Sequence, residues 1–183
     1  MSGEAVSAPA KIGVLTISDR ASAGLYEDIS GPAIAEWLGK ALSVPYELDM
    51  RVIPDGFDRV RGELIDMADR GGCCLVLTTG GTGPAPRDLT PEATLAASDR
   101  ELPGFGELMR MKSLEQTPTA ILSRQTAAHR GACLFVNLPG SPRSIDLCLK
   151  AVFPAIPYCV ELIGGAWLDT HADFVKTVRP LKK

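Results

Sequence analysis

The chain alternates short apolar, β-branched runs with longer stretches whose apolar residues recur every three or four positions. Lys11–Ile17 (KIGVLTI) stops at Ser18-Asp19-Arg20 and reads as a buried strand feeding a loop. Gly31–Leu42 places Ile34, Trp37, Leu38, Ala41 and Leu42 at helical spacing, with Pro32 suited to a first turn. Tyr46–Ile53 alternates weakly and ends at Pro54-Asp55-Gly56, as a strand entering a turn does. Val60, Leu64, Ile65, Met67 and Ala68 predict a second amphipathic helix that closes near Gly71-Gly72. Cys73–Leu77 is continuously apolar, as expected of a central strand covered on both faces, and runs into a glycine-rich loop. Pro91–Ser98 and Gly106–Leu114 read as helices, with Thr90 placed to cap the first. Thr119–Leu122 and Ala132–Leu138 read as strands, and Ser144–Phe153 as a helix that resumes over Tyr158–Ile163. Trp37, on an apolar helical face, is expected in the core, and Met109 and Met111 read as packing residues. This alternation predicts an α/β domain, a three-layer α/β/α sandwich with a mostly parallel sheet.

Composition narrows the picture. The 183 residues suit one domain, with 45% hydrophobic and 22% charged residues. Met1–Ala10 is expected to be a disordered lead-in, 11–164 the body, and 165–183 a tail to which no role is assigned. A net charge of −3 gives no bulk attraction for phosphodiester backbones, so nucleic acid is not expected as a partner. Met1–Ala10 lacks the basic start and apolar core of a signal peptide, and no apolar run approaches the roughly 20 residues of a membrane helix. The expected location is therefore the cytoplasm, without membrane contact. The five cysteines show no C-x-x-C spacing, and Cys73 and Cys133 read as small buried hydrophobes.

Ligands of open α/β sheets settle where the carboxyl ends of the strands meet their loops. Four such loops carry polar residues: Ser18-Asp19-Arg20, Pro54-Asp55, Thr79–Asp88 and Asn137–Ser141. In the third, Gly80, Gly81 and Gly83 remove side chains so that backbone N–H groups can close on a ligand's oxygens, and Thr79 and Thr82 add hydroxyls. A following helix would add its positive N-terminal end. The segment lacks the lysine of a P-loop and the spacing of a dinucleotide fingerprint. An isolated G-G-T-G is equally the mark of a tight turn that needs glycine for steric reasons. Asp55 and Asp88 shift that balance, because two carboxylates across a phosphate pocket repel the substrate unless a cation lies between them. Mg²⁺ fits such a pair. Taken singly, each aspartate reads better as the cap of a turn or helix than as a metal ligand. Ser18 could bind phosphate or end its strand, and Arg20 could face a phosphate or the solvent.

The string TTGGTGPAPRDLTPEAT (Thr78–Thr94), together with ISDRASAG (Ile17–Gly24), resembles the signature of the molybdenum-cofactor biosynthesis proteins, in their molybdopterin-adenylyltransferase branch. IPD at Ile53–Asp55, PGFGELMR at Pro103–Arg110, TAILSR at Thr119–Arg124 and NLPGSP at Asn137–Pro142 extend the resemblance from about Lys11 to Gly164. It implies the molybdopterin-binding-domain fold, a homotrimer, and Mg²⁺-dependent transfer of AMP from ATP to the terminal phosphate of molybdopterin. The adenylylated product would pass to a separate molybdate-insertion protein. By the same resemblance, Asp55 and Asp88 are the catalytic, metal-binding pair. Ser18 and Thr79, Gly80, Gly81, Thr82 and Gly83 are expected on substrate, with Asn137, Pro139, Gly140 and Ser141 at the pterin side. The competing expectation is a pterin carrier or scaffold of the same fold with no adenylylation activity.

Overall fold

The computed structural model of the chain describes residues 9–180; of the expected lead-in, 1–8 lie outside them. Ala10 already belongs to the first strand, β1 (Ala10–Ile17). Next come α1 (Asp19–Ser22), α2 (Ser30–Ala41), β2 (Tyr46–Ile53) and α3 (Phe57–Asp69). After these come β3 (Leu75–Thr79), α4 (Thr90–Ala97), β4 (Arg100–Glu101) and α5 (Pro103–Leu114). A 3-10 turn (Pro118–Leu122), β5 (Ala127–Arg130), β6 (Cys133–Leu138), α6 (Pro142–Val152) and α7 (Ile156–Leu162) complete the order.

The six strands form one sheet in the order β2-β1-β3-β6-β5-β4. Its first four strands are parallel, and β5 and β4 add an antiparallel edge. The three-layer expectation holds, because each central strand divides its side chains between two cores. Ile12, Val14, Leu75, Leu77, Leu134 and Val136 meet α2, α5, α6 and α7 on one face. Leu15, Val76 and Phe135 meet α3 and α4 on the other. Both faces are buried, so these strands read as unbroken apolar runs rather than alternating ones. Trp37 is buried as expected, against Phe153 at 4.8 Å between ring centroids.

Several expectations need correction. Thr119–Leu122 is not a strand: it falls in the 3-10 turn, where no residue is buried. The strand instead starts at Ala127, after the polar Ser123-Arg124-Gln125-Thr126, and its small apolar pair Ala127-Ala128 gives little periodic signal. The third strand begins at Leu75 and extends to Thr79, taking in the first residues of the glycine-rich segment. Met109 is packed, whereas Met111 is 63% exposed. Over residues 166–180 the chain is tied down, with Leu168 and Val175 in the larger core and Thr170 bridging to Leu42.

Candidate active site

The register of the four parallel strands brings their carboxyl ends to one level. Ile17 lies opposite Ile53, Thr16 opposite Thr79, and Thr79 opposite Leu138. The four polar loops therefore leave the sheet side by side, and they enclose a cleft of about 280 Å³. Ser18, Asp19, Arg20, Asp55, Arg87 and Asp88 line it, with Gly81 and Gly140. An adjoining hollow of about 250 Å³ shares Ser18, Arg20 and Gly140, and adds Tyr26, Asp28, Thr79 and Gly80. A roomier hollow, of about 510 Å³, lies elsewhere, between Leu102, Phe105 and Leu108 and the Val152–Ala155 segment that ends α6. Its walls are almost wholly carbon, so it offers nothing to orient a charged ligand.

The first two loops lock each other. The Asp19 N–H donates to Asp55 Oδ2 at 3.0 Å, and the Asp55 N–H donates to Asp19 Oδ1 at 3.0 Å. Ser18 Oγ accepts from the Ala21 N–H at 3.2 Å and so caps α1. On the third loop, Ala85 N–H donates to Asp88 Oδ2 at 3.1 Å. Asp55 and Asp88 thus each spend one oxygen on a main-chain N–H, and among the described residues Oδ1 of each takes no hydrogen bond.

The glycines serve close approach. Gly80 has φ +101°, and a Cβ there would lie 2.2 Å from the Ile17 carbonyl oxygen. Gly81 has φ +64°, and a Cβ there would meet Thr90 Oγ1 at 2.3 Å and Asp55 Oδ1 at 3.5 Å. No L side chain fits either place, so both the turn and the cradle demand glycine here. Thr90 does not cap α4 with its side chain; its hydroxyl donates to the Gly80 carbonyl at 3.0 Å, tying the helix start to the loop. At Gly83 a Cβ would stand 2.7 Å from Asp88 Oδ2.

The expected site residues therefore divide. Ser18, Asp55, Gly81, Asp88 and Gly140 face the cleft, and Thr79 and Gly80 border the neighbouring hollow. Thr79 is buried, and its hydroxyl donates to the Pro139 carbonyl at 2.8 Å, which joins the third and fourth loops. Thr82 is buried, and Ser141 stands exposed at the start of α6. Asn137 is wholly buried inside the sheet: its Nδ2 donates to Thr78 Oγ1 at 3.0 Å and to Thr94 Oγ1 at 2.9 Å. Its carboxamide ties β3 and β6 to α4 and lines neither hollow.

Residues 13–158 match the family model described as a probable molybdopterin binding domain. The chain belongs to this family. The molybdopterin adenylyltransferase of Helicobacter pylori strain J99 is 55% identical over 169 residues, covering 92% of this chain and 96% of that protein. That of Escherichia coli K12 is 48% identical over 182 residues, covering 93% of each. Among solved structures, the molybdopterin biosynthesis enzyme MoaB of Thermus thermophilus is similar with a TM-score of 0.78. It is 43% identical, over 86% of this chain and 98% of that one.

The family match spans all four loops of the cleft and ends before the strapped tail. For this molybdopterin-binding domain, three contributors escape a reading of the motifs. Asp19 supports Asp55, Arg87 lines the cleft, and Arg124 grips the glycine-rich loop from behind. Asp19 and Arg87 stand inside the motifs but look like ordinary surface charges until the loops are brought together. Arg124 is the last residue of TAILSR, and only the fold shows what it reaches.

Proposed function

We propose that the chain is a cytoplasmic molybdopterin adenylyltransferase, which transfers AMP from ATP to the terminal phosphate of molybdopterin and releases pyrophosphate. The observation that carries this reading is the cleft in which Asp55 and Asp88, each with Oδ1 free of hydrogen bonds among the described residues, flank the glycine-lined loop. The names borne by relatives at 48–55% identity support it.

The reaction asks little of a base, since the attacking phosphate oxygen of molybdopterin is already anionic at neutral pH. Alignment at the α-phosphorus and cancellation of charge are what the site must supply. Main-chain N–H groups around Gly80, Gly81 and Gly83 are donors that cost no reorganisation, because the Thr90 and Thr79 hydroxyl bonds hold the loop in shape. Arg20 and Arg87 line the cleft without a carboxylate partner among the described residues, and they offset the charge of the departing pyrophosphate. The loop Pro139–Ser141, beside the neighbouring hollow, would face the pterin.

Mg²⁺ suits the donor set. Among the described residues no three His, Cys, Asp or Glu side chains form a cage. Mg²⁺ needs none, since it binds through one or two carboxylates plus waters and substrate phosphates. Asp55 and Asp88 would hold it, and it would supply neutralisation of the phosphate oxygens as negative charge gathers. The same reading has the protein act as a homotrimer and pass its product to a separate molybdate-insertion protein.

The deciding experiment is incubation with molybdopterin and Mg-ATP, followed by mass spectrometry of the pterin and a pyrophosphate assay. A pterin heavier by one adenylyl group (AMP less water), with stoichiometric pyrophosphate, is expected. Pterin that binds but keeps its mass would replace the enzyme with a carrier.

A further inference from the structure

The group that shapes the glycine-rich loop belongs neither to the loop nor to the helix after it. Arg124 lies between the 3-10 turn and β5. Its main-chain N–H donates to the Thr82 carbonyl at 2.8 Å. Its Nε donates to the Gly83 carbonyl at 2.9 Å, and its Nη2 donates to the carbonyl of Asp88. Its Nη1 pairs with Glu92 Oε1 on α4. One planar cation thus spans the loop from Gly83 to Asp88. Across that span the loop's own ties are the Asp88 N–H to the Ala85 carbonyl at 2.9 Å and the Ala85 N–H to Asp88 Oδ2. Pro84 and Pro86 have no N–H to add.

A guanidinium holds its donors in a fixed fork, so two carbonyls bound to one fork have a fixed separation. A lysine ammonium offers a single point and cannot reproduce that span. Glu92 completes the arrangement. Burial pushes its carboxyl up, but the hydrogen bond and charge of Arg124 outweigh this and hold it below its ordinary value. Ionised Glu92 cancels the charge of Arg124, which leaves Arg20 and Arg87 as the cations felt in the cleft.

We propose that Arg124 is a positioning residue, whose bridge from Gly83 to Asp88 aims the Asp88 carboxylate into the cleft while Glu92 holds the guanidinium in place. The consequence for catalysis rests on the adenylyltransferase reading; the consequence for the loop does not.

The test compares Arg124→Ala, Arg124→Lys and Glu92→Gln with the wild-type chain. Amide hydrogen exchange gives the first readout. The Asp88 and Thr90 amides, bonded to Ala85 and Gly81, should exchange at least about tenfold faster in both Arg124 variants, with those of β1 and β3 unchanged. Kinetics gives the second. The kcat for pyrophosphate release should fall about 10²-fold in both variants, the scale expected of a displaced catalytic group, with molybdopterin Kd within about twofold. Methylguanidinium at sub-denaturing concentration should restore part of the Arg124→Ala rate, and equal NaCl should not. Glu92→Gln, which keeps both carbonyl bonds, should lose less than either. Wild-type kcat in Arg124→Lys, or loop exchange that does not change in either Arg124 variant, overturns the proposal. If Arg124→Ala fails to fold, Arg124→Lys carries both readouts. If the wild-type chain releases no pyrophosphate, the functional reading fails and the exchange experiment alone decides the bridge.

Discussion

Asp55 and Asp88 reach the same cleft from different supports. Asp55 is held by the main chain of the first loop, whereas Asp88 is held by its own loop and so depends on that loop's shape. In Asp88→Asn the carboxamide oxygen can still accept from the Ala85 N–H, so the fold should survive while one negative charge is lost. Pyrophosphate release is expected to fall by at least about 10²-fold, with molybdopterin binding and Tm largely kept. Full activity in this variant would remove Asp88 from the chemistry. Both aspartates were legible in the sequence because Asp55 stands just after an apolar run and Asp88 closes the glycine-rich motif. Asp19 was not, because its partner lies 36 residues away and reciprocal hydrogen bonds between loops leave no local pattern.

Among the elements, the parallel core was the easiest part to read, since β1, β3 and β6 are dense apolar or β-branched runs ended by polar loops. The antiparallel edge was not. β5 offers only Ala127-Ala128 as an apolar signal, while the more hydrophobic Thr119–Leu122 is fixed as a 3-10 turn on the surface. Burial there depends on what packs across the chain, which a local window cannot see. Asn137 shows the same limit from the other side. Its place in NLPGSP suggests a ligand contact, but its amide holds three elements together, and its Oδ1 is buried with no partner among the described residues. Asn137→Ala would strand the buried Thr78 and Thr94 hydroxyls and should cost about 2–3 kcal/mol in urea unfolding. A loss under about 0.5 kcal/mol would contradict that role.

Two expectations concern the whole molecule. Residues 166–175, which carried no reading in sequence, close the larger core: Leu168 is fully buried there, and Phe174 stands edge-on to Trp37 at 5.3 Å. Leu168→Ala should therefore destabilise by about 2–4 kcal/mol in urea unfolding, as core truncations do. An effect within about 0.5 kcal/mol would place the tail outside the cooperative unit. The second expectation is acid sensitivity. The hydrogen bonds of Arg51 hold Asp49 and Asp66 below the ordinary carboxylate range, and that of Arg130 does the same for Asp69. A lowered folded pKa contributes stability that is complete above the unfolded value of about 4 and is lost as pH falls through the folded one. A Tm series should lose this contribution below about pH 4, and Arg51→Met should flatten that decline. An unchanged acid limb in Arg51→Met would exclude the ion-pair network as its cause.

The strand order has a consequence for how the chain is made. β1, β2 and β3 are adjacent and early, so they can pair while synthesis is still under way. The outer neighbour of β3, however, is β6, which is translated only after α4, β4, α5 and β5. Until Cys133–Leu138 emerges, a nascent chain with those three strands paired leaves one backbone edge of Leu75–Thr79 bare, on a strand buried on both faces in the finished protein. That edge can template pairing between chains. The same order that puts the glycine-rich loop at the centre of the cleft makes the strand bearing it the one to shield during translation.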